Sequence, residues 1–255
     1  MGESEPWFRA AFGPAYLQLY AHRDLAEARR LVGTLRAAGL LATGPVLDLG
    51  CGAGRHLVAL LEGGVGAIGL DLSAPLLERA RAEIAAAGST PLLARGDLRW
   101  LPFASNSFGV ALSLFTTFGY FESPAEDSLV LAEAWRVLRG GAPLVLDYLN
   151  ASLVRGRPPG ASERERGGFV FREERRLSAD GRRVLKEITV RAAGTGCVVA
   201  HTEERVTLYS AAELAALVAR AGLQVETLWG DYEGRAFEES RAPRLILVAR
   251  KEESA

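Results

Sequence analysis

The sequence has few of the residues from which metal centres, disulfide frameworks and redox sites are built. Its 255 residues include two cysteines, three histidines and one methionine. Cys51 and Cys197 show neither metal-ligand spacing nor a disulfide framework, and this scarcity favours a reducing compartment. We therefore expect no metal site.

An excess of charge of one sign is also lacking, because 30 basic residues face 31 acidic ones and leave a formal net charge of −1. This balance gives no global positive field and argues against a nucleic-acid partner. No apolar run approaches the length of about 20 residues that crosses a bilayer, and the first residues do not resemble a secretory signal. We expect a cytoplasmic globular protein with no membrane partner.

The first half of the chain shows a regular alternation of short apolar runs and amphipathic segments. Such alternation implies right-handed βαβ units and a parallel sheet with helices on both faces. The predicted strands span residues 46–49, 67–70, 91–94, 108–115 and 143–149, and the predicted helices span residues 17–38, 56–61, 74–87 and 127–138.

After Asn150 the pattern changes to a predicted antiparallel meander. Residues 155–191 carry 11 basic and 6 acidic residues, a local net charge of +5. Acidic residues are interleaved, so a solvated face is the preferred interpretation. The alternatives are that the meander is a lid, that it is a homodimerisation arm, or that it attracts an anionic acceptor molecule. The meander strands are predicted at 169–177, 183–190 and 197–208, followed by a helix at 211–221 and strands at 224–228 and 244–249.

These elements predict one domain in four consecutive parts. Residues 1–40 form an N-terminal helical cap, and residues 41–150 form the half in which strands and helices alternate. The β-meander insertion covers residues 151–209, and the final helix and strands cover residues 210–255.

Three closely spaced glycines follow the first predicted strand, in Asp48-Leu49-Gly50-Cys51-Gly52-Ala53-Gly54. A phosphate-binding P-loop needs Lys and then Ser or Thr after its last glycine, where this chain has Arg55 and His56. A dinucleotide fingerprint needs a glycine at position 55, which is also absent. What is left is an acidic residue followed by G-x-G-x-G.

The glycine motif, read together with the four further motifs given below, resembles the motifs of class I S-adenosylmethionine-dependent methyltransferases of the bacterial small-molecule type. The resemblance covers nearly the whole chain, and its strength lies in several motifs in order at predicted strand ends. Besides the glycine motif, it is carried by Gly69-Leu70-Asp71-Leu72-Ser73, Gly96-Asp97-Leu98, Leu101-Pro102-Phe103 with Ser107-Phe108, and Arg136-Val137-Leu138-Arg139-Gly140-Gly141.

The resemblance implies a doubly wound, Rossmann-like, mostly parallel seven-stranded sheet with helices on both faces and the meander inserted after strand 5. It also implies S-adenosylmethionine as cofactor and S-adenosylhomocysteine as product. Asp71 would accept from the ribose hydroxyls, Asp97 from the adenine amino group, and Leu72 would pack on the adenine. The implied cofactor-binding residues are Asp48, Gly50, Cys51, Gly52, Asp71, Leu72, Asp97, Leu98 and Leu114.

Several of these residues also have ordinary structural interpretations. Asp71 alone could cap the next helix, although Ser73 offers a competing cap, and Asp97 alone could be a turn residue. Cys51 is expected to be a small loop filler. Arg55 and His56 open a helix, where a solvated position is one interpretation, and we assign neither a cofactor role.

The expected reaction is in-line displacement of the activated methyl group by a small-molecule acceptor, with alignment and water exclusion as the enzyme's main tasks. No Asn- or Asp-Pro-Pro-Tyr tetrad follows the fourth strand, which argues against DNA-adenine and protein-glutamine methylation. A nicotinamide-dependent oxidoreductase and a non-catalytic S-adenosylmethionine-binding module are the alternatives. The candidate acceptor-facing residues are Tyr20, His22, Phe115, Tyr120, Tyr148 and Asn150; the sequence identifies no catalytic residue among them.

Overall fold

The computed structural model describes residues 25–42 and 44–253. Helices and strands alternate along the first half as expected. The helices are α1 (Leu25–Ala37), α2 (Arg55–Glu62), α3 (Ala74–Ala86), α4 (Pro124–Val137), α5 (Ala151–Gly156) and α6 (Ala211–Arg220). The strands of the main sheet are β1 (Val46–Leu49), β2 (Ala67–Asp71), β3 (Leu93–Arg95), β4 (Val110–Ser113), β5 (Pro143–Leu149), β10 (Leu223–Trp229) and β11 (Arg244–Lys251).

These seven strands form one sheet in the order β10-β11-β5-β4-β1-β2-β3. β1 pairs in parallel with β2 on one side and with β4 on the other, and β11 runs antiparallel between β5 and β10. The chain therefore winds outward in both directions from β1 and β4. In sheets of this kind the carboxyl ends of the two central strands border the ligand crevice. The predicted doubly wound fold is confirmed.

Each face of the sheet has its own core, as the alternation of side chains along strands requires. In β5, Leu144, Leu146 and Tyr148 join the core that includes α4 and α6. Val145 joins the opposite core, which includes α1 and α2. Asp48 of β1 and Asp147 of β5 occupy strand positions of that second face, since they alternate with Leu47 and Leu146.

The second sheet is the meander, and it has four strands where the sequence predicted three. It consists of β6 (Gly160–Arg166), β7 (Phe169–Leu177), β8 (Arg183–Ala192) and β9 (Val198–Thr207), paired in that order. The prediction missed β6 because all seven of its residues are exposed and carry no apolar alternation. Its backbone pairs with β7 over its whole length.

The basic residues of the meander form ion pairs with acidic neighbours on the same strand or on adjacent strands. Arg164 and Lys186 both contact Glu173, at 2.6 and 2.5 Å, and Arg205 contacts Glu203 at 3.0 Å. The interleaved glutamates predicted a solvated face, and the ion pairs add to that prediction. Part of the local positive charge is thus paired with carboxylates of the same sheet.

The base of the meander is attached to the segment that follows β4. The Thr207 backbone N–H donates to the Gly119 carbonyl at 2.9 Å, and the Tyr148 hydroxyl donates to the Thr207 carbonyl. The Arg183 guanidinium donates to the Glu122 carboxylate at 2.9 Å. The insertion is therefore joined to the main sheet at the crevice edge.

Helix caps explain where two predicted helix boundaries lie. Ser123 and Glu126 form a capping box, so α4 begins at Pro124 and not at Asp127. Ser210 and Glu213 form the same motif at α6, as their spacing predicted. Within residues 25–42 and 44–253, no helix is long and apolar enough to cross a membrane.

A buried lysine holds the end of α4 against the last strand. The Lys251 ammonium donates to the Asn106 side-chain oxygen and to the carbonyls of Trp135 and Leu138, at 2.9, 2.9 and 2.7 Å. It also lies 4.1 Å from the centre of the Trp135 ring. The carbonyls at a helix end have no partner within the helix, so the lysine supplies the donors that they need.

We expect Lys251→Met to lower the free energy of unfolding by about 2–3 kcal/mol, because buried acceptors lose their donor. Arg241→Met is the control, since its side chain is 74% exposed, and it should change stability by less than about 0.5 kcal/mol. Urea unfolding followed by circular dichroism measures both. Equal effects of the two substitutions would contradict this role for Lys251.

Candidate cofactor and acceptor site

The three glycines after β1 have positive φ angles, but each meets different surroundings. A Cβ at Gly50 would overlap the Thr117 side chain, and one at Gly54 would lie 2.9 Å from Ala80 Cβ. A Cβ at Gly52 would have no atom within 4 Å. Gly50 and Gly54 therefore allow close packing of the loop against the protein. Gly52, by contrast, borders open space at the crevice.

Asp71, at the end of β2, holds this loop in place. One oxygen accepts from the Gly52 backbone N–H at 2.8 Å, and the other accepts from the Ser73 N–H at 2.8 Å. Ser73 is the side chain that caps α3, where it accepts from the Leu76 N–H. Asp71 is therefore not the helix cap, and burial raises the pKa of its carboxyl.

Asp48 lies beneath the loop and is 1% exposed. Burial, together with the nearby charge of Asp71, raises the pKa of Asp48 to about 7, although Arg55 acts in the opposite direction. Its Oδ2 atom has no hydrogen-bond partner among the described residues. A buried carboxylate with a spare acceptor is costly and favours a nearby cation or donor.

The two residues that open α2 are shielded from solvent to different degrees, since His56 is buried and Arg55 is partly buried. His56 is 5% exposed, and the Arg55 side chain is 17% exposed. The Arg55 guanidinium is ion-paired with Glu27 of α1 and lies 4.6 Å from the centre of the Phe115 ring. The helix α1 thus covers the start of α2, a long-range contact that local sequence could not show.

Cys51 is buried, in agreement with a small filler role. A Cβ at Gly69 would lie 2.7 Å from its sulfur, so Gly69 makes room for it in β2. Burial, and then the charges of Asp48 and Asp71, raise the pKa of the Cys51 thiol. This environment keeps the thiol protonated and disfavours a nucleophilic role.

Asp97 is held rigidly by its neighbour Arg99. Its carboxylate accepts from the Arg99 backbone N–H at 2.9 Å and from the guanidinium at 3.1 and 2.8 Å. Arg99 also contacts Glu126 at 2.5 Å. Leu72 and Leu98 are partly exposed at the same edge, next to the main core.

The segment after β4 has a strained backbone. Leu114 is buried, and the next residues, Phe115 and Thr116, have φ angles of 58° and 63°. For residues other than glycine this left-handed conformation costs roughly 1–2 kcal/mol each. The strand predicted to reach Phe115 in fact ends at Ser113, so Phe115 belongs to the crevice edge.

An ion pair between Asp147 and Arg244 holds Phe115 and Thr116, and we call Asp147, Arg244 and Tyr232 the loop clamp. Asp147 is fully buried and accepts from the Phe115 N–H at 2.8 Å, the Tyr232 hydroxyl at 2.8 Å and the Arg244 guanidinium at 2.7 Å. The Arg244 guanidinium also donates to the Thr116 hydroxyl at 2.8 Å. The Thr116 N–H donates to the Asp147 carbonyl at 2.9 Å.

The other candidate acceptor-facing residues have different surroundings. Tyr20 and His22 lie outside the described residues. Tyr120 is partly exposed beyond the strained pair. Tyr148 is fully buried, and Asn150 caps α5 while its amide donates to the Glu239 and Ala242 carbonyls at 2.8 Å. We therefore leave Tyr148 and Asn150 out of the proposed acceptor side.

Sequence reasoning missed Asp147 and Arg244. Asp147 lies in an apolar run, PLVLDYL, where an acidic residue is unusual, and that was the available signal. Strand alternation also places it on the face opposite to Tyr148. Arg244 lies 97 residues away in sequence, so nothing local connects the two.

Residues 46–141 match the family described as "Methyltransferase domain". A dTDP-3-amino-3,6-dideoxy-alpha-D-glucopyranose N,N-dimethyltransferase of Streptomyces fradiae is 29% identical over 85% of this chain and 82% of its own. A cypemycin N-terminal methyltransferase of Streptomyces sp is 28% identical over 81% of this chain and 83% of its own.

Among solved structures, S-adenosylmethionine-bound CalS10, an amino pentose methyltransferase of Micromonospora echinaspora, superposes with a TM-score of 0.68. It is 22% identical, and the match covers 98% of this chain and 100% of that one. This similarity shows the fold.

Residues 46–141 match a methyltransferase domain, and the whole chain is similar to S-adenosylmethionine-dependent methyltransferases. Its crevice fits the cofactor: Gly52 opens onto free space, Asp71 lies at the end of β2, and Asp48 has an acceptor without a partner. Within residues 25–42 and 44–253, no cluster of three or more potential ligands could hold a metal ion. The nicotinamide alternative finds no support among these relatives.

We expect Gly52→Ala to weaken S-adenosylhomocysteine binding by at least about tenfold, because the added methyl group enters the open crevice. Gly88→Ala is the matched control, since Gly88 also has a positive φ and open surroundings but lies at the end of α3. Both variants should lose about 1 kcal/mol of stability from the backbone alone. Isothermal titration separates the two, and equal affinities would contradict the assignment of Gly52 to the crevice.

The raised pKa of Asp48 predicts a pH-dependent cost to folding. An acid whose folded pKa lies above its unfolded value of about 3.9 stabilises the fold at low pH, and that contribution is lost as pH rises through about 7. We therefore expect Asp48→Asn to be more stabilising, relative to the native chain, at pH 8 than at pH 5. Urea unfolding at the two pH values measures the difference.

Asp180→Asn is the control for this measurement. Hydrogen bonds from Ser178 and the Arg182 backbone lower the pKa of Asp180 in an exposed turn, so it is ionised at both pH values. Its effect should be the same at pH 5 and pH 8. An effect of Asp48→Asn that does not vary with pH would show that burial has not shifted this carboxyl.

Proposed function

We propose that this enzyme transfers methyl groups to an amino group of a small-molecule acceptor, with an amino sugar as the leading substrate class. The observation that carries the proposal is the shared chemistry of its relatives. One is named for dimethylating a sugar amine and the other for methylating an N-terminus. In both names the methyl acceptor is an amine, although the molecule that bears the amine differs.

The cofactor-binding residues are proposed from their places around the crevice. They are Asp48, Gly50, Cys51, Gly52, Asp71, Leu72, Asp97, Leu98 and Leu114. Asp71 would accept from the ribose hydroxyls through lone pairs not used by Gly52 and Ser73, since a carboxylate has about four acceptor positions. Asp97, already oriented by Arg99, would accept from the adenine amino group without further ordering.

Bound S-adenosylmethionine supplies a methyl group on a sulfonium centre, so the chain's own residues mainly position and desolvate. Phe115, against Arg55 and Arg244 at 4.6 and 5.4 Å, would form one wall of the acceptor side. Tyr120 follows on the same segment. Alignment of this kind supplies a large part of rate enhancement in displacement reactions.

An amine acceptor attacks through an unshared electron pair, so the ammonium form must first lose its proton. The carboxylates near the Phe115 wall already have partners, because Asp147 accepts from Phe115, Tyr232 and Arg244, and Glu27 is ion-paired with Arg55. We therefore expect the acceptor to be taken up as the neutral amine. Turnover should rise with pH up to the pKa of the acceptor's own amine.

The direct test is turnover with a matched acceptor pair. The purified enzyme is supplied with S-adenosylmethionine and dTDP-3-amino-3,6-dideoxy-α-D-glucopyranose, or with the analogue that has a hydroxyl in place of the amine. We expect S-adenosylhomocysteine release and a methylated product with the amine alone. A short peptide with a free N-terminus is the third acceptor.

Each outcome decides between named alternatives. Methylation of the peptide but not the sugar would keep the amine chemistry and replace the substrate class. Methylation of the hydroxyl analogue would contradict N-methylation. Binding of S-adenosylhomocysteine without turnover on a wider panel of amines would favour the non-catalytic module.

A further inference from the structure

Phe115 and Thr116 form a strained pair in the segment that follows β4. Both have left-handed backbone conformations, which neither an aromatic nor a β-branched side chain favours. Conformations of this kind persist only when their surroundings impose them, and they concentrate at functional sites. Here the imposing group is the loop clamp, Asp147 with Arg244 and Tyr232.

Each contact of the clamp acts on the backbone or side chain of the strained pair. Asp147 accepts the Phe115 N–H with its carboxylate and the Thr116 N–H with its own carbonyl. Arg244 bridges Asp147 and the Thr116 hydroxyl. The clamp therefore fixes both φ angles, and not merely the position of the segment.

The strained pair in turn connects the acceptor side to the cofactor loop. The Phe115 ring lies 4.6 Å from the guanidinium of Arg55, which directly follows Gly54 of the cofactor loop. The next residue, Thr117, occupies the space that a side chain at Gly50 would need. A change in the backbone at Phe115 and Thr116 would therefore alter the distance between the two halves of the crevice.

We propose that Asp147 and Arg244 are positioning residues for methyl transfer, which hold Phe115 and Thr116 in the left-handed conformation that shapes the acceptor wall. This deepens the proposed function and rests on it for the identity of the acceptor. Neither residue is proposed to touch the reacting atoms. Their effect passes through the loop.

Arg244→Lys is the main variant, because lysine keeps the charge beside Asp147 but has one ammonium group in place of a fork that reaches both Asp147 and Thr116. Arg250→Lys is the matched control, since Arg250 lies at the other end of β11 and pairs with the exposed Glu226. Thr116→Val is a second variant, which removes the hydroxyl that Arg244 contacts while it keeps the side-chain shape.

The first readout is hydrogen exchange of the amides of Phe115 and Thr116 in the S-adenosylhomocysteine complex, which needs no acceptor. We expect Arg244→Lys and Thr116→Val to speed this exchange by about tenfold or more, and Arg250→Lys to leave it unchanged. Unchanged exchange in both clamp variants would overturn the proposal, whatever the substrate proves to be.

The second readout is turnover with the amine acceptor that the native enzyme uses. We expect kcat to fall by about tenfold to a hundredfold in Arg244→Lys, because small displacements of an aligned site have effects of this size. The KM for S-adenosylmethionine should change by less than about threefold. A loss confined to cofactor affinity would contradict a role at the acceptor wall.

Rescue separates positioning from general stability. Glycine adopts the left-handed conformation without strain, so adding Thr116→Gly to Arg244→Lys should restore part of the lost kcat. A double variant no faster than Arg244→Lys would contradict the proposed path through the backbone. If the native enzyme methylates no amine, the proposed function fails, and the exchange measurement still decides whether the clamp exists.

Discussion

Two carboxylates under one glycine loop form the constraint on which the site depends. Asp71 holds the loop through the Gly52 N–H, and Asp48 lies buried close enough for each charge to raise the other's cost. Burial of two neighbouring carboxylates has a cost in stability. The arrangement is understandable as a site for a cofactor that carries hydroxyl donors and an ammonium group.

The rest of the crevice follows from the sheet around these carboxylates. Because β1 and β4 are neighbours at the point where the winding reverses, the loops after them meet, and Gly50 gives the space that Thr117 fills. The clamp on Phe115 and Thr116 then fixes the opposite wall from β5 and β11. The cofactor loop is thus held by Asp71 at the end of β2, and the acceptor wall by Asp147 near the end of β5.

Much of this could be predicted from the sequence, because strand ends and helix caps are local signals. The glycine spacing, Asp71 and the Ser73 cap all lie within a few residues of a recognisable strand, and the sheet follows from the alternation. The assignment of individual residues to the cofactor or the acceptor remains a prediction.

What could not be predicted depends on pairing across long stretches of chain. Arg244 meets Asp147 only because β11 returns antiparallel to β5. Arg55 is partly buried because Glu27 of α1 pairs with it. β6 is a strand because its backbone pairs with β7, and its own side chains show no strand pattern. The sequence predicts Tyr148 at the site from its proximity to the strand end. Tyr148 in fact shares a face with Leu144 and Leu146, and this face is opposite to that of Asp147.

The measurement that tests the central claim most directly is a crystal structure of the enzyme with S-adenosylhomocysteine. We predict the ribose hydroxyls on the Asp71 carboxylate, with the backbone of Gly52 alongside the ligand and Asp48 beneath its amino-acid end. A ligand bound away from the carboxyl ends of β1 and β2, or one that leaves Asp71 without a ligand contact, would contradict the account.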